Sequence, residues 1–129
     1  MNLLLDTHLM LWAMQGRAAL PKAAVPWIDR ADAVFVGAAS LWKAAIKAAL
    51  GKLTVDVAAL EQQLADAGFA QLPVRWTHAA QVALLPQGKH RNPFDRLLVA
   101  KAISEPMHLL TCDAALGPYT DLVIVVPAE

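Results

Sequence analysis

The sequence predicts an α/β fold with a central parallel sheet and helices on both of its faces. Short apolar runs of the kind that form buried parallel strands alternate with longer segments whose apolar residues recur at helical spacing. Because strands and helices alternate, parallel strands joined by helical crossovers are expected. The chain has 129 residues, of which 57% are hydrophobic and 17% charged, so it fits one folded domain over 1–129 rather than a disordered protein.

Charge and cysteine content narrow the class of protein. The 11 Lys and Arg balance the 11 Asp and Glu, so net charge favours neither nucleic acid nor membrane, and any nucleic acid needs a local basic patch. The single cysteine, Cys112, cannot form an internal disulfide, which suits a reducing cytoplasm. No apolar run approaches the roughly 18 residues of a membrane span. We therefore expect a cytoplasmic protein without a membrane partner.

In the first half of the chain, the pattern predicts three strands and four helices. Pro21 is expected at the first position of a helix, where its missing N–H is not needed. Ser40 and Asp56 are expected to cap the next two helices with their side-chain oxygens. The predicted strands cover residues 2–5, 33–36 and 70–73, and the predicted helices cover residues 9–14, 21–30, 41–51 and 57–68.

In the second half, a turn-rich basic loop separates two predicted helices. Asn92 and Pro93 are expected to open the second of them, as its cap and its first residue, and this helix ends near Ser104. The predicted elements are a short helix at 77–85, the loop at 86–92, a helix at 93–104, strands at 108–111 and 122–126, and a helical turn at 113–116.

Three aspartates are expected to meet at the carboxyl edge of this sheet. Asp6 and Asp113 each follow an apolar strand, and Asp95 falls in the first turn of the helix that Asn92 caps. In an open parallel sheet, ligands bind at this edge, at the switch in strand order. Each aspartate alone is most simply a helix cap, but three acids that converge from separate parts of the chain indicate a functional site.

Clustered carboxylates favour a divalent cation, because like charges raise one another's pKa unless a cation neutralises them. Oxygen ligands without His or Cys select Mg²⁺ or Mn²⁺ over zinc. Such an ion can activate water and stabilise the charge on a phosphate under attack. The four histidines have no mutual spacing typical of a metal site. The candidate ligands of Mg²⁺ or Mn²⁺ are therefore Asp6, Asp95 and Asp113.

The sequence resembles the PIN-domain family, specifically the VapC-like toxins of bacterial toxin–antitoxin systems. The resemblance covers almost the whole chain, and the segment around Asp95 is the most specific part of it. Five segments agree with the family in order and spacing: LLLDTH at 3–8, AASLWKAAIK at 38–47, LGKL at 50–53, HRNPFDRLL at 90–98 and LLTCD at 109–113.

The resemblance implies a three-layer α/β/α fold and a metal-dependent endoribonuclease that a cognate antitoxin inhibits. It also implies homodimers, and an antitoxin segment that lays a basic side chain into the acidic site. Carried over by position, the metal ligands would be Asp6, Asp95 and Asp113. The groups that support these ligands would be Ser40, Thr111 and Asn92.

The chain departs from the family pattern at one ligand position. The family has Glu where this chain has Lys43, and commonly Asp where it has Asn92, which caps a helix equally well. A four-acid site would carry −4, whereas the three aspartates and Lys43 sum to −2. At about 5 Å and an effective dielectric of about 20, an ammonium repels Mg²⁺ by roughly 7 kcal/mol before relaxation and salt. Lys43 is therefore expected to weaken metal binding.

Position 43 is also expected to favour an acid on local grounds. With Ser40 as the cap, Lys43 is the third helical residue, where Glu would complete a capping box and a cation opposes the helix dipole. Three interpretations of Lys43 stay open. It is a solvated side chain that has only lost a ligand, a cation that pairs with Asp95 or Asp6 in place of the metal, or a change selected because active ribonuclease poisons an expression host.

A basic group near the acids could hold the phosphate backbone of RNA. Arg96, one residue after Asp95, is the preferred phosphate contact, and His90 is a second candidate for substrate binding. A solvated basic face is the equal alternative. The other members of the group are Lys89, Arg91 and Lys101.

The leading interpretation is a metal-dependent ribonuclease toxin that is weakened at position 43. The alternative is a non-catalytic, degenerate domain of the same fold that binds an antitoxin or another copy of itself. A receiver-type phosphoacceptor would need a second acid beside the first and a late Lys-Pro, which the sequence lacks. A dehalogenase-type phosphatase would need an aspartate where His8 stands. Both of these are disfavoured.

Overall fold

The structure is a computed structural model that describes residues 1–87 and 92–129. Within these ranges, five parallel strands form one sheet in the order β3-β2-β1-β4-β5. The strands are β1 (Asn2–Leu5), β2 (Ala33–Gly37), β3 (Ala70–Leu72), β4 (His108–Thr111) and β5 (Val123–Val125). The predicted α/β fold with a central parallel sheet is confirmed.

Helices cover both faces of this sheet. The α-helices are α1 (Thr7–Gln15), α2 (Val25–Arg30), α3 (Ala38–Ala49), α4 (Val57–Asp66), α5 (Trp76–Val82) and α6 (Pro93–Ser104). Two 3₁₀ helices, Arg17–Ala19 and Ala114–Tyr119, complete the helical segments of the described residues. No helix in this part of the chain is long and apolar enough to cross a membrane.

The central strand β1 separates two hydrophobic cores. Leu3 and Leu5 pack on one face with buried residues of α1, α3 and α4, whereas Leu4 packs on the other face with buried residues of α6 and β4. This alternation follows from the pleat, which points successive side chains to opposite faces. All three leucines are fully buried. The three-layer α/β/α arrangement is therefore confirmed.

The sheet has its switch in strand order at β1. The chain passes from β1 to β2 on one side, and later returns to place β4 on the other side of β1. In register, Leu5 lies beside Val36 and beside Leu110. The residues that follow these three positions therefore meet at the carboxyl edge, in the place where open parallel sheets bind ligands.

Two of the predicted helix starts are wrong. The N–H of Ala24 bonds to the carbonyl of Pro21, which makes a turn, and α2 begins only at Val25. Helix α3 begins at Ala38 with the extended Gly37 as its cap, so Ser40 lies inside the first turn and does not cap the helix. Lys43 is consequently in the second turn. The capping-box argument for an acid at position 43 therefore fails.

The predicted caps at Asp56 and Asn92 are confirmed. The Asp56 carboxylate accepts hydrogen bonds from two backbone N–H groups at the start of α4. The Asn92 side-chain oxygen does the same for α6, with Pro93 as the first helical residue. Side-chain oxygens satisfy N–H groups that have no partner within the helix, so these two helices begin where the sequence indicates.

Candidate active site

Asp6 lies at the carboxyl end of the central strand and caps α1. Its side chain is buried, with only 7% of the residue exposed. One carboxylate oxygen, Oδ1, accepts a hydrogen bond of 2.9 Å from the backbone N–H of Leu9. The other, Oδ2, accepts a hydrogen bond of 2.5 Å from the hydroxyl of Thr111. Both oxygens are therefore held in fixed directions at the centre of the edge.

Thr111 connects Asp6 to Asp113. The fully buried Thr111 ends β4, and its Oγ1 accepts a hydrogen bond of 3.0 Å from the backbone N–H of Asp113 while donating to Asp6. The exposed Asp113 side chain caps the 3₁₀ helix Ala114–Tyr119 by accepting from the N–H of Ala115 at 3.0 Å. One hydroxyl thus fixes the places of two aspartates that come from opposite ends of the chain.

Asp95 approaches the same edge from α6. It lies in the first turn of that helix, and its backbone N–H, like that of Phe94, faces the Asn92 side-chain oxygen. The Asp95 side chain is half-buried. Its negative charge is close enough to Asp6 to raise the pKa of Asp6. The structure therefore brings Asp6 and Asp95 together, as the sequence predicts for this pair.

Burial is the main cause of a raised pKa at Asp6. Removing the carboxylate from water disfavours its charged form, and the Asp95 charge adds to this effect. The hydrogen bonds from Leu9 and Thr111 act in the opposite direction, as does the nearby His8. The charged form of Asp6 is consequently disfavoured and would gain from a nearby cation. Carboxylates with perturbed pKa values are typical of functional sites.

Ser40 supports the edge from α3. Its hydroxyl is buried and accepts a hydrogen bond of 3.1 Å from the hydroxyl of Thr7, the residue that follows Asp6. This contact ties the first turn of α3 to the first turn of α1. The sequence predicts Ser40 as a helix cap, which is not the role that it has in the structure. Its pairing with Thr7 leaves no signal in the sequence.

Lys43 is half-buried in the second turn of α3. Its Nζ lies 5.8 Å from the centre of the Phe94 ring, a distance typical of a cation–π contact. Phe94 precedes Asp95 in the chain, so the ammonium lies at the end of α6 that carries Asp95. The ring of Trp42 also contacts Phe94, edge-on, with ring centres 5.3 Å apart.

The structure changes the expectation for the basic group. Lys101 is fully buried and cannot hold a phosphate backbone on the surface. Nη1 of Arg96 donates hydrogen bonds within the protein, to the carbonyl of Pro86 at 3.1 Å and to the hydroxyl of Tyr119 at 3.0 Å. A phosphate contact by Arg96 stays a prediction. The remaining members, Lys89, His90 and Arg91, lie outside the described residues.

The donor set suits a magnesium-type ion only in part. Asp6 and Asp95 supply two interacting carboxylates, which are the ligand type that Mg²⁺ and Mn²⁺ prefer. Across 1–87 and 92–129, however, no three His, Cys, Asp or Glu side chains stand close enough together to hold one metal ion. Mg²⁺ is often held by one or two carboxylates, with waters and substrate phosphates completing its sphere. The chain fits that arrangement better than a site made of three carboxylates.

Sequence reasoning missed two contacts around the site, the Thr7–Ser40 pair and the Arg96–Tyr119 pair, and it also missed the burial of Lys101. The first two join residues distant in the chain and leave no periodic pattern. The burial of Lys101 had a signal, because the residue falls within the inward-facing stretch 100–102 of α6. A lysine in such a stretch is easily taken for an exposed charge.

Comparison with known proteins supports the fold and identifies a family. The family model described as the PIN domain matches residues 3–119. VapBC2 from Rickettsia felis, solved bound to a promoter DNA fragment, contains a chain of similar structure with a TM-score of 0.70 and 12% sequence identity, and each chain is covered over 100% of its length. No curated protein is similar enough in sequence to match the chain.

Two further solved structures are similar to the chain. FitAcB from Neisseria gonorrhoeae shares 20% identity at a TM-score of 0.67, with 97% of each chain covered. A toxin–antitoxin complex from Klebsiella pneumoniae shares 14% identity at a TM-score of 0.67, with 95% of each chain covered. At these identities the likeness establishes the fold.

Proposed function

Because the chain belongs to the PIN domain family, we propose that it is a metal-dependent endoribonuclease of a toxin–antitoxin pair, impaired by Lys43. The proposal rests on the meeting of Asp6 and Asp95, whose charges interact at the carboxyl end of the central strand. A buried and a half-buried carboxylate whose charges interact attract a divalent cation. We treat residues 1–129 as one such domain, acting in the cytoplasm.

In this proposal, Asp6 and Asp95 bind Mg²⁺ or Mn²⁺ directly, and Asp113 is a third ligand that reaches the ion through a water molecule, because no three such side chains of the described residues lie close enough to hold one ion. When bound, the ion supplies an activated water and stabilises negative charge on the phosphate that is attacked. The chain's own groups set the direction of the ligands. Thr111 orients Asp6 with its hydroxyl hydrogen and Asp113 through its backbone N–H, and the Asn92 cap orients the first turn of α6.

Ser40 and Lys43 act on this site from α3. Ser40 holds the start of α1, and with it Asp6, through its contact with Thr7. Lys43 brings an ammonium to the N-terminal end of α6, where it lies over Phe94. A positive charge there opposes a divalent cation and is therefore the proposed cause of impairment. RNA is the proposed substrate, and His90 is kept as a proposed substrate contact.

A protein partner is supported by an exposed apolar stripe on α3. Trp42 and Ile46 lie four residues apart on one face of α3, Leu50 is the residue that caps the end of this helix, and Trp42 and Leu50 are more than half exposed. Contiguous apolar surface of this kind is typical of protein interaction sites. Two of the three similar structures are named as toxin–antitoxin assemblies or promoter-bound VapBC complexes. A cognate antitoxin and a second copy of the chain are the proposed partners.

Cleavage of RNA by variants at position 43 tests the proposal. Lys43→Glu should cleave single-stranded RNA in the presence of Mn²⁺, because it adds a carboxylate and removes the ammonium. Lys43→Gln, the matched neutral control, should cleave more weakly. The chain with Lys43 should be slower than Lys43→Glu by about a hundredfold or more, a barrier difference of about 3 kcal/mol. Adding Asp95→Asn to Lys43→Glu should abolish the activity.

Two outcomes would contradict this proposal. If the Lys43 protein already cleaves RNA at about one turnover per second, which is ordinary for an enzyme, impairment by Lys43 is wrong. If Lys43→Glu binds Mn²⁺ but cleaves no RNA, while the Lys43 protein binds an antitoxin tightly, the chain is a non-catalytic binding module. The Lys43–Phe94 contact supports this second candidate function, because the ammonium lies over the ring of the residue that precedes Asp95.

A further inference from the structure

Arg96 uses one end of its guanidinium to join three parts of the chain. The two hydrogens of Nη1 go to the carbonyl of Pro86 at 3.1 Å and to the hydroxyl of Tyr119 at 3.0 Å. The guanidinium carbon also lies 5.8 Å from the centre of the Tyr119 ring. The Arg96 side chain is half-buried. The planar guanidinium of arginine can donate hydrogen bonds and stack on an aromatic ring at the same time, which the ammonium of lysine cannot do.

The partners of Arg96 belong to elements that carry the candidate ligands. Arg96 follows Asp95 in the first half of α6. Tyr119 is the last residue of the 3₁₀ helix that Asp113 caps. Arg96 therefore links the helix that carries Asp95 to the helix that Asp113 begins.

A second link completes the path between the aspartates. Thr111 ties Asp113 to Asp6 at the near end of the 3₁₀ helix, and Arg96 ties the far end of the same helix to α6. With both links present, the 3₁₀ helix Ala114–Tyr119 is fixed at its two ends. Without Arg96, the far end of the 3₁₀ helix would lose its hydrogen bond to α6, and the hydrogen bond of Thr111 and the packing of the buried Leu116 would remain.

From this geometry we infer that Arg96 is a positioning residue that sets where Asp113 stands relative to Asp95. Its functional consequence rests on the proposed ribonuclease site. Arg96 acts here through Tyr119, and both hydrogens of Nη1 are used inside the protein. Turning this nitrogen toward a phosphate would release Tyr119 and Pro86 together. Direct binding of phosphate by Arg96 is the competing role, and the experiment must distinguish it from the positioning role.

The chain offers a single-site probe, because Tyr119 is its only tyrosine. Fluorotyrosine incorporated into the whole protein gives one fluorine resonance, which reports on the Arg96–Tyr119 contact. Arg96→Met should shift this resonance. Arg96→Met should also speed hydrogen exchange of the Ala115 N–H, which bonds to Asp113, by about tenfold, the loss of roughly one hydrogen bond. Exchange of the Leu9 N–H, which bonds to Asp6, should stay unchanged.

Arg17→Met is the matched control, because Arg17 forms an exposed ion pair with Asp29 away from the site. It should change neither the fluorine resonance nor the Ala115 exchange rate. Arg96→Lys keeps the charge without the planar fork, so it should resemble Arg96→Met. If Arg96→Met leaves both the resonance and the Ala115 exchange rate as they are, the positioning inference is overturned.

Kinetics in the Lys43→Glu background separate positioning from phosphate binding. A positioning role predicts that Arg96→Met lowers kcat by about tenfold or more and leaves KM within about twofold, because only the transition state depends on the ligand geometry. A raised KM with unchanged kcat would overturn the inference in favour of phosphate binding. If Lys43→Glu cleaves no RNA at all, the proposed function fails, but the resonance and exchange measurements still decide the positioning inference.

Discussion

The hydroxyl of Thr111 donates a hydrogen bond of 2.5 Å to the buried carboxylate of Asp6. Thr111 ends β4 and Asp6 directly follows β1, the parallel neighbour of β4, so the contact depends on strand order and register. It offsets part of the cost of burying a charge at the carboxyl edge, because hydrogen bonds to a carboxylate favour its ionised form. The same hydroxyl accepts from Asp113, which makes Thr111 the central polar group of the site.

Thr111→Val should therefore destabilise the protein and raise the pKa of Asp6 further. The shape of the side chain is kept, but the Asp6 oxygen and the Asp113 N–H each lose a partner. The expected loss is about 1–3 kcal/mol in the free energy of unfolding, measured by urea denaturation. Thr111→Ser retains the hydroxyl and should lose less. Equal losses in the two variants would show that the hydroxyl contributes nothing to stability.

Asp6→Asn should stabilise the fold at neutral pH. Burial raises the pKa of Asp6 above its ordinary value of 3.8, so the folded state holds this proton more tightly than the unfolded state. The stability that Asp6 contributes is then fully present below pH 3.8 and is lost as pH rises through the raised value. Asp6→Asn removes this pH-dependent loss of stability. Melting temperatures measured over a series of pH values, with a chelator present, test the prediction.

The control for Asp6→Asn is Asp121→Asn, which changes an exposed carboxylate. Asp121→Asn should leave the melting temperature nearly unchanged. A lower melting temperature for Asp6→Asn than for the unmodified chain at pH 7 would mean that its hydrogen bonds outweigh its burial. A gain in stability with a loss of metal binding is typical of a residue kept for function.

Lys101→Met should stabilise the protein at neutral pH and flatten its pH dependence. Burial lowers the pKa of the Lys101 ammonium from 10.5 to about 8, although nearby Glu105 partly opposes the shift. Between these values the unfolded state binds more protons, so stability rises as pH climbs from about 8 toward 10.5. The gain for Lys101→Met at pH 7 should be about 1–3 kcal/mol. Urea denaturation at pH 7 and pH 10 measures both effects.

One result for Lys101→Met would contradict this prediction. Among residues 1–87 and 92–129, the Lys101 Nζ is a buried side-chain atom with no hydrogen-bond partner. If Lys101→Met is less stable than the unmodified chain at pH 7, the ammonium has a partner that offsets its burial. Lys47→Met changes a lysine that is only half-buried and should leave the pH dependence as it is.

Gly37→Ala should destabilise the protein only while Lys101 is present. A Cβ at position 37 would lie 2.7 Å from the Lys101 Nζ, which is closer than real contacts allow. The Nζ is the far end of a flexible side chain that can shift, so the expected loss is about 1 kcal/mol, at the low end for overpacking in a core. In the Lys101→Ala background the loss should vanish, which a double-mutant cycle measures by denaturation. A loss of the same size in both backgrounds would show that the backbone, and not Lys101, requires glycine there.

The fold and part of the site could be predicted because they depend on local chemistry. Asn92 and Pro93 indicate where α6 begins, because a capping residue followed by a proline at the first helical position is a short-range sequence signal. The position of Asp95 in the first turn follows from that start. The carboxyl-edge position of Asp6 follows from one apolar run that ends in an acid. These features need no knowledge of distant neighbours.

The other features depend on tertiary contacts. Ser40 has the chemistry of a cap, yet its hydroxyl bonds to Thr7 and glycine takes the cap position, so the helix starts two residues earlier than Ser40 itself. Lys101 lies at an inward position of α6 that a charge would avoid in most proteins. Arg96 is one residue from Asp95 and still points to Tyr119. Intrinsic helix and capping propensities predict little at positions where tertiary packing determines the structure.

Binding of Mn²⁺ to variants at position 43, followed by the electron paramagnetic resonance of the free ion, tests the central claim most directly. Lys43→Glu should bind Mn²⁺ about a hundredfold more tightly than the chain with Lys43, because the charge of the site changes by two units. Adding Asp95→Asn should weaken this binding again. Micromolar Mn²⁺ affinity in the unmodified Lys43 chain, with no gain on Lys43→Glu, would contradict the proposed role of Lys43.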